Sequence, residues 1–250
     1  MTKRFVIVGE APADRTTSRE LADRVILEAI DWLADHPSLL NEQRSWIEQL
    51  PDGISVTWKD LSGVAKKLGI RMHGHFDGRP GEPDAAAARK AVAVILRQLS
   101  NVDAVVLIRD ADKQGERLMG LEQARKAFAN DVTVVLGLAV PERESWVVVG
   151  FDPDPRDVSE GERLEVVKKR IGFDPRLRSH ELTGTRDAKQ VLRDLTNGNV
   201  DRQRNCWTET PLKVLRDRGQ KNGLADYLQE VEQRLVPLIV GDSSRAARTR

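Results

Sequence analysis

The stretch Asp103-Ala-Val-Val-Leu-Ile-Arg-Asp-Ala-Asp-Lys-Gln-Gly-Glu116 decides the fold class of the chain. Its first half contains an uninterrupted apolar run, 104–108, which is typical of a strand buried on both faces of a sheet. Asp110 and Asp112 follow this strand closely, and a helix is predicted over 115–129. A buried strand that leads through a short polar turn into a helix is the building unit of parallel α/β sheets.

Similar patterns on either side of this stretch predict further strands and helices. Short β-branched and apolar runs predict strands at 4–9 and 132–140. Ser18 is the expected N-cap of a first helix after a loop at 10–17, and Asp84 is the expected N-cap of a third. The helical spacing of apolar residues places these helices at 19–35, 61–68 and 84–99. Strands that alternate with helices indicate an α/β fold, in which a parallel sheet carries helices on both faces.

The pattern changes after Gly150, where Pro153 and Pro155 mark a boundary. We assign residues 1–150 to a core domain that contains the sheet. Downstream, helical spacing predicts a helical appendage over 151–240, with helices at 160–171, 186–196, 210–218 and 223–238. Residues 241–250 contain three arginines and few apolar side chains, which predicts a basic, disordered tail.

The composition restricts the class of protein. The 40 Lys and Arg against 39 Asp and Glu give a net charge of +1, so contact with nucleic acid must come from a local patch or from a partner subunit. The single cysteine, Cys206, precludes an intramolecular disulfide and fits a reducing compartment. No apolar run is long enough for a signal peptide or a membrane span. We therefore expect a cytoplasmic protein without membrane contact.

Three carboxylates follow predicted strands. Glu10 lies just past the first strand, and Asp110 and Asp112 lie just past the central one. Functional groups in parallel sheets collect at the carboxyl ends of strands, and carboxylates that converge there raise each other's pKa unless a cation binds. Mg²⁺ and Mn²⁺ prefer such oxygen ligands and polarise phosphoryl oxygens. The sequence thus predicts that these three residues bind Mg²⁺ (or Mn²⁺) in an enzyme that carries out phosphoryl chemistry.

Other interpretations of these residues stay open. An aspartate after a strand is often only a turn former or a helix cap. The chain lacks the Gly-x-x-x-x-Gly-Lys-[Ser/Thr] sequence of P-loop ATPases, which excludes that class. Its Asp-x-Asp resembles that of haloacid-dehalogenase-type phosphatases, but it comes late in the chain and is followed by Lys113 rather than by a small hydroxyl residue.

Two segments resemble the Toprim domain, the catalytic module of type IA topoisomerases, bacterial primases and the overcoming-lysogenization-defect nucleases. The segment Val6-Ile-Val-Gly-Glu-Ala-Pro-Ala13 resembles the topoisomerase strand that ends in Glu-Ser-Pro-Ala. The segment Asp110-Ala-Asp-Lys-Gln-Gly-Glu116 resembles the Asp-x-Asp-Arg-Glu-Gly-Glu sequence of the same family. Gln114 departs from the family's acidic residue, which bears on how a second metal ion would bind.

The Toprim resemblance implies a Toprim-like fold over residues 1–150 and roles for the acidic residues. Glu10 would be a general acid/base or a metal ligand, and Asp110 and Asp112 would hold the metal ion. The topoisomerase activity itself is a poor match, because the chain is too short for a strand-gating arch. Its only tyrosine, Tyr227, falls in a predicted amphipathic helix.

A closer resemblance is to small stand-alone Toprim-like proteins of mobile defence loci, which are often encoded beside an ATPase of the ABC or AAA type. Pro141-Glu-Arg-Glu-Ser-Trp146 resembles their Pro-Glu-x-Glu-x-Trp segment. This implies that Glu144, together with Glu142, joins the same sheet edge; an ordinary amphipathic helix start is the alternative. Nucleases of this class often use a lysine to steady the scissile phosphate, a role that Lys189 would take unless it is only a surface lysine.

Two further sets of residues give weaker signals. Arg109 precedes Asp110 and would neutralise the three carboxylates of Glu10, Asp110 and Asp112 or contact phosphate. His73 and His75 lie in a glycine-rich loop, and two histidines without a third ligand are a weak zinc signal.

The sequence therefore favours a Mg²⁺-dependent, Toprim-family nuclease that cleaves phosphodiester bonds of DNA or RNA. A partner ATPase would deliver or license the substrate, and the resemblance implies a role in anti-phage defence. A non-catalytic, Toprim-like subunit that binds a partner is one alternative, and Gln114 favours it. A metal-dependent phosphatase or phosphotransferase is another. Whether the chain forms a homo-oligomer is left open.

Overall fold

The chain contains parallel strands joined by helices, followed by a largely helical segment. A computed structural model describes residues 1–71, 75–76, 78–112 and 114–247. The strands are β1 Lys3–Val8, β2 Arg44–Ile47, β3 His75–Phe76, β4 Arg79–Pro80, β5 Ala104–Asp110 and β6 Thr133–Ala139. The helices up to β6 are α1 Pro12–Ala29, α2 Asp31–Asp35, α3 Leu40–Gln43, α4 Trp58–Lys67, α5 Ala85–Gln98 and α6 Arg117–Ala127. The later helices are α7 Arg143–Val148, α8 Val158–Ile171, α9 Ala188–Thr196, α10 Val200–Thr208, α11 Leu212–Arg218, α12 Leu224–Arg234 and α13 Val236–Ala247.

A sheet with the strand order β2-β1-β5-β6 forms the centre of the amino-terminal part. Strand β1 pairs in parallel with β2 on one side and with β5 on the other. In the second pairing Val8 lies opposite Leu107, so the two strands end at the same edge of the sheet. The parallel α/β fold predicted from the apolar runs is therefore confirmed, as is the helical carboxyl-terminal part.

Both faces of the central strands are buried, as their continuous apolar sequence requires. On one face, alternate residues of β1 and β5 join a core with α4, α5 and α6, and this core includes Val6, Val8, Val105, Leu107, Leu61, Val92, Ile95 and Leu121. On the other face, Phe5 and Ile7 have no exposed surface. Trp58 also donates its indole N–H to the carbonyl oxygen of Ile108 at 2.8 Å, which ties the start of α4 to the end of β5.

The start of the first helix was predicted wrongly. Helix α1 begins at Pro12, not after Ser18, so residues 12–17 are helical and Ser18 is fully buried inside the helix. Proline suits the first helical position because it has no N–H that needs a partner. The Asp14 carboxylate accepts hydrogen bonds from the backbone N–H groups of Glu10 (3.0 Å) and Ala11 (2.8 Å), so it holds the turn that carries Glu10.

Asp84 and the residues of β2 also differ from expectation. Asp84 does precede helix α5, but its carboxylate makes no capping hydrogen bond to that helix. The carboxylate instead pairs with Arg109 and Arg117.

Strand β2 was not predicted, because Arg-Ser-Trp-Ile at the edge of a sheet lacks the apolar run of a central strand.

The described chain divides into two compact units, and this division falls at other places than the predicted boundary at residue 150. The first unit contains the residues up to Arg109, then Gln114–Gly137 and the chain from Gln229 onward. The second contains residues 110–112 and Leu138–Leu228. The segment 241–250, predicted as a disordered tail, is helical up to Ala247.

The second unit is helical and has its own apolar interior. Trp146 of α7 stacks on Tyr227 of α12 with ring centroids 5.2 Å apart, and both side chains are buried. Tyr227 therefore has no access to a substrate. Helices α7 and α10 add to the helices that the sequence predicts for this part of the chain. Across the described residues, no helix is both long and apolar enough to cross a membrane.

The packing of α6 on the start of α5 generates a stability prediction. A Cβ atom added to Gly120 would lie 1.8 Å from the carbonyl oxygen of Pro83. Gly120→Ala would therefore push helix α6 away from the backbone that precedes helix α5. We expect it to lower the free energy of unfolding by about 3 kcal/mol, measured by urea denaturation.

Gly63→Ala is the matched control. Gly63 is exposed in α4 and has no atom within 4 Å of an added Cβ, so the change should stabilise the protein by about 1 kcal/mol. Equal effects of the two substitutions would contradict the close approach at Gly120.

Candidate functional site

In the second unit, the end of β5 and the residues after it are bonded to the end of β6 and the residues after it. The backbone N–H of Ala111 donates to the carbonyl oxygen of Ala139 at 2.7 Å, and that of Asp112 donates to Pro141 at 2.9 Å. These bonds fix the segment 110–112 against the segment 139–144, which includes the Glu-Arg-Glu sequence. Asp112 has a positive φ of 50°, so its backbone turns sharply at this point.

The same two segments are joined by side chains. The Asp110 carboxylate accepts a hydrogen bond from the backbone N–H of Arg143 at 2.9 Å. The Glu144 carboxylate accepts from the Arg143 guanidinium at 2.8 Å, and Glu142 pairs with Lys189 at 2.8 Å. Lys189 is close enough to Glu144 and Asp110 for both to stabilise its positive charge. The second unit therefore brings together Asp110, Glu142, Glu144 and Lys189, which we call the acidic cluster.

A loop between α11 and α12 holds this region in place. Asn222 is buried, and its carbonyl oxygen accepts from the backbone N–H of Val140 (2.9 Å) and from the indole N–H of Trp146 (2.7 Å). Its side-chain amide donates to the carbonyl oxygen of Ser145 at 2.9 Å. Buried polar groups that are fully hydrogen-bonded specify one arrangement, so α7 presents Glu144 from a fixed position.

The sequence interpretation missed Arg143 and Asn222. Arg143 is only 8% exposed although arginine is rarely buried without a partner. Its position between two glutamates was the only available signal, because an arginine in such a place usually faces solvent. No pattern in the sequence points to Asn222, since Ser145 and Trp146, which it binds, are more than 70 residues away along the chain.

In the first unit, Glu10 takes part in a separate network of charges. Its carboxylate pairs with the Arg109 guanidinium at 3.1 Å, and the Glu10 side chain is 40% exposed. Arg109 also pairs with Asp84 at 3.0 Å and lies over the ring of Trp58, 5.2 Å from its centroid. Arg117 pairs with the same Asp84 carboxylate at 3.2 Å. Arg109 thus partly offsets the negative charges of Glu10 and Asp84 within this unit.

The structure places the remaining candidates as follows. Asp112 is exposed, and Gln114 accepts a hydrogen bond from Arg117 at 3.2 Å. His75 is exposed in β3, whereas His73 and Lys113 lie outside the described residues. Burial raises the pKa of the Cys206 thiol to about 12, so it is inert as a nucleophile.

The acidic cluster shifts the pKa of two of its members. Burial raises the pKa of Glu142, and the nearby Glu144 charge adds to this, whereas the hydrogen bond from Lys189 opposes it. The hydrogen bond to Glu142 in turn raises the pKa of Lys189, so this lysine stays protonated at neutral pH. A carboxyl group with a raised pKa beside a fixed cation is suited to proton transfer.

The fit of the site to a metal ion rests on the chemistry of its donors. Within the described ranges, no group of three or more His, Cys, Asp or Glu side chains is arranged to hold a metal ion. Mg²⁺, however, is usually held by one or two carboxylates, keeps several waters and gains its other ligands from substrate phosphates. Asp110 and Asp112 are donors of the chemical type that such a site uses, and the described residues contain no closed metal cage.

Comparison of the chain with protein-family models, with curated proteins and with solved structures finds no match.

The opposing influences on Glu142 generate a titration prediction. Lys189→Met should raise the pKa of Glu142 further, because the hydrogen bond and the positive charge that oppose burial are lost. Glu144→Gln should lower it, because a like charge is removed. Both shifts can be followed by carbon NMR of the glutamate carboxyl groups as pH is varied. An unchanged pKa in both variants, or shifts of the same sign, would contradict the opposing influences of Lys189 and Glu144 on Glu142.

Proposed function

We propose that the protein is a metal-dependent nuclease of the Toprim type, which cleaves phosphodiester bonds in nucleic acid. In this proposal Asp110 and Asp112 hold Mg²⁺ or Mn²⁺, and Glu144 and Lys189 assist. Glu10 contributes a further ligand or a general acid/base, as the sequence resemblance implies.

One observation carries the proposal: the backbone bonds between 110–112 and 139–144 gather carboxylates and a lysine from three separate segments of the sequence. Perturbed ionisable groups that come together from distant segments are more common at functional sites than elsewhere. An aspartate that acted only as a turn former would not need Glu142, Glu144 and Lys189 beside it. The combination of Asp, Glu and Lys side chains suits phosphate chemistry rather than acyl transfer, for which the cluster has no Ser, Cys or His nucleophile.

Each residue of the cluster has a role that fits its surroundings. A bound divalent ion would polarise a phosphoryl oxygen and stabilise the charge that develops on the leaving oxygen. Lys189 has a side chain that is 61% exposed, so it offers its ammonium group to a phosphate. Glu142 holds a proton at a higher pH than an ordinary glutamate and can therefore exchange it with a water or a leaving group. Arg143 keeps Glu144 in a fixed orientation.

A partner ATPase of the ABC or AAA type and a role in anti-phage defence belong to the same proposal. They rest on the sequence resemblance and on the net charge of +1, which provides little long-range attraction for nucleic acid. A partner that delivers the substrate would supply that attraction.

A second candidate is a non-catalytic subunit that binds a partner. The ion pairs favour it, because Glu10, Glu142 and Glu144 each already have a cationic partner in the described structure. Paired carboxylates of this kind also occur in purely structural networks.

Cleavage of supercoiled plasmid and of bulk RNA, with Mg²⁺ or Mn²⁺ added, distinguishes the two candidates. We expect metal-dependent cleavage by the wild type and a loss of about 100-fold or more in Asp110→Asn, because metal catalysis is worth several kcal/mol. Glu10→Gln should also lose activity.

Glu165→Gln is the matched control, since the Glu165 side chain is 72% exposed and pairs only with Lys168 among the described residues. It should keep full activity. If neither the protein alone nor the protein with its co-purified ATPase cleaves either substrate, the nuclease proposal is wrong and the partner-binding subunit is favoured.

A further inference from the structure

The segment between α8 and α9 carries two arginines on one aromatic ring. The Arg178 guanidinium lies 4.6 Å from the centroid of the Phe173 ring, and that of Arg186 lies 5.5 Å from it. Phe173 is half-buried, so its ring is fixed by the fold and still reaches the surface. Because both guanidinium groups lie over the ring, Phe173 holds two flat, positively charged groups at the surface.

The two arginines differ in their other contacts. Arg178 pairs with Glu181 through two hydrogen bonds, one of them 2.8 Å long. Arg186 is exposed and, among the contacts of the described residues, has no carboxylate within ion-pair distance. A cation held by a ring rather than by a carboxylate keeps its hydrogen-bond donors available to a ligand.

The surface beside Arg186 is open. Thr183, Gly184 and Thr185 are all exposed, and no atom lies within 4 Å of a Cβ added to Gly184. Gly184 has a φ of +63°, a conformation that other residues adopt at a cost. A ligand can therefore approach the backbone here without displacing a side chain.

The same segment leads directly to the acidic cluster. Asp187 follows Arg186 and caps helix α9 by accepting from the backbone N–H of Gln190 at 2.9 Å. Lys189 lies in the first turn of that helix and pairs with Glu142. Phe173, Arg186 and Lys189 thus belong to the same unit, and only Asp187 and Ala188 separate Arg186 from Lys189 along the chain.

We propose that Phe173, Arg178 and Arg186 form a binding surface for single-stranded nucleic acid in the segment that leads to Lys189. The inference deepens the proposed nuclease function and rests on it. Guanidinium groups bind phosphate, and the outer plane of a guanidinium held over a ring stacks on a base. Only an unpaired base exposes its face to such a plane, so the surface selects single strands over duplex. An acidic peptide would use the charge of the arginines but would gain little from stacking.

Fluorescence anisotropy of a labelled twenty-nucleotide oligothymidylate, measured with the full-length protein in EDTA, tests this surface without any cleavage. The wild type should bind the single strand more tightly than a duplex of equal length. Arg186→Ala should weaken binding about fivefold or more. It should also reduce the slope of log K against log salt concentration by about one, the value for one lost phosphate contact. Phe173→Leu keeps apolar volume but removes the ring, and should weaken binding by a similar factor.

Arg156→Ala is the matched control, because Arg156 is an exposed arginine of the same unit that pairs with Asp154. It should leave binding unchanged. Binding that is equal for duplex and single strand, or that is unaffected by Arg186→Ala and Phe173→Leu, overturns the proposal.

Two further outcomes separate this proposal from its alternatives. Binding of labelled polyglutamate that depends on Arg186 but not on the Phe173 ring identifies an acidic peptide as the ligand and also overturns the proposal. Failure of the wild type to bind the oligonucleotide, with metal-dependent cleavage unchanged in Arg186→Ala, refutes this surface and leaves the nuclease proposal standing. Oligonucleotide binding that behaves as expected, without any cleavage by the protein alone or with its co-purified ATPase, supports the surface and refutes the nuclease.

Discussion

Three hydrogen bonds between the carboxyl-terminal end of β5 and that of β6, with the residues just after them, determine the candidate site. They join Ala111 to Ala139, Asp112 to Pro141, and the Arg143 N–H to the Asp110 carboxylate. Backbone bonds between two loops are costly to leave unmade once water is excluded, so they fix the register of the loops. Without them Asp110 would have no defined position relative to Glu144 and Lys189. Their geometry in turn depends on the Asn222 loop, which bonds to Val140 and Trp146.

The second constraint is electrostatic. Carboxylates that are brought together repel each other, and partial burial makes each charge more expensive. Arg143 and Lys189 offset this cost in the second unit, and Arg109 does the same for Glu10 in the first. At Glu142 the favourable contact with Lys189 does not fully offset the cost of burial, and the pKa of Glu142 stays raised.

The sequence predicts those elements and site residues whose structure is determined by residues nearby in the chain. The strands β1, β5 and β6 and the helix α5 were predicted because their apolar patterns are contained within each segment. The start of α1 was predicted wrongly, because Pro12 and Asp14 cap it while Ser18 offered a more familiar signal. The candidates Asp110, Glu144 and Lys189 were named from the resemblance and from strand ends. Arg143 and Asn222 were missed, since their importance comes from partners that are distant in the sequence.

The central claim is that the carboxylates after β5 form a metal site that substrate completes, and Mn²⁺ binding measured by electron paramagnetic resonance tests it most directly. The wild type should bind Mn²⁺ weakly alone and about tenfold more tightly with a cleavage-resistant phosphorothioate oligonucleotide, because coupled ligands strengthen each other's binding. Asp110→Asn should show neither the binding nor the increase. Equal Mn²⁺ binding by the two proteins, with and without the oligonucleotide, would contradict the account.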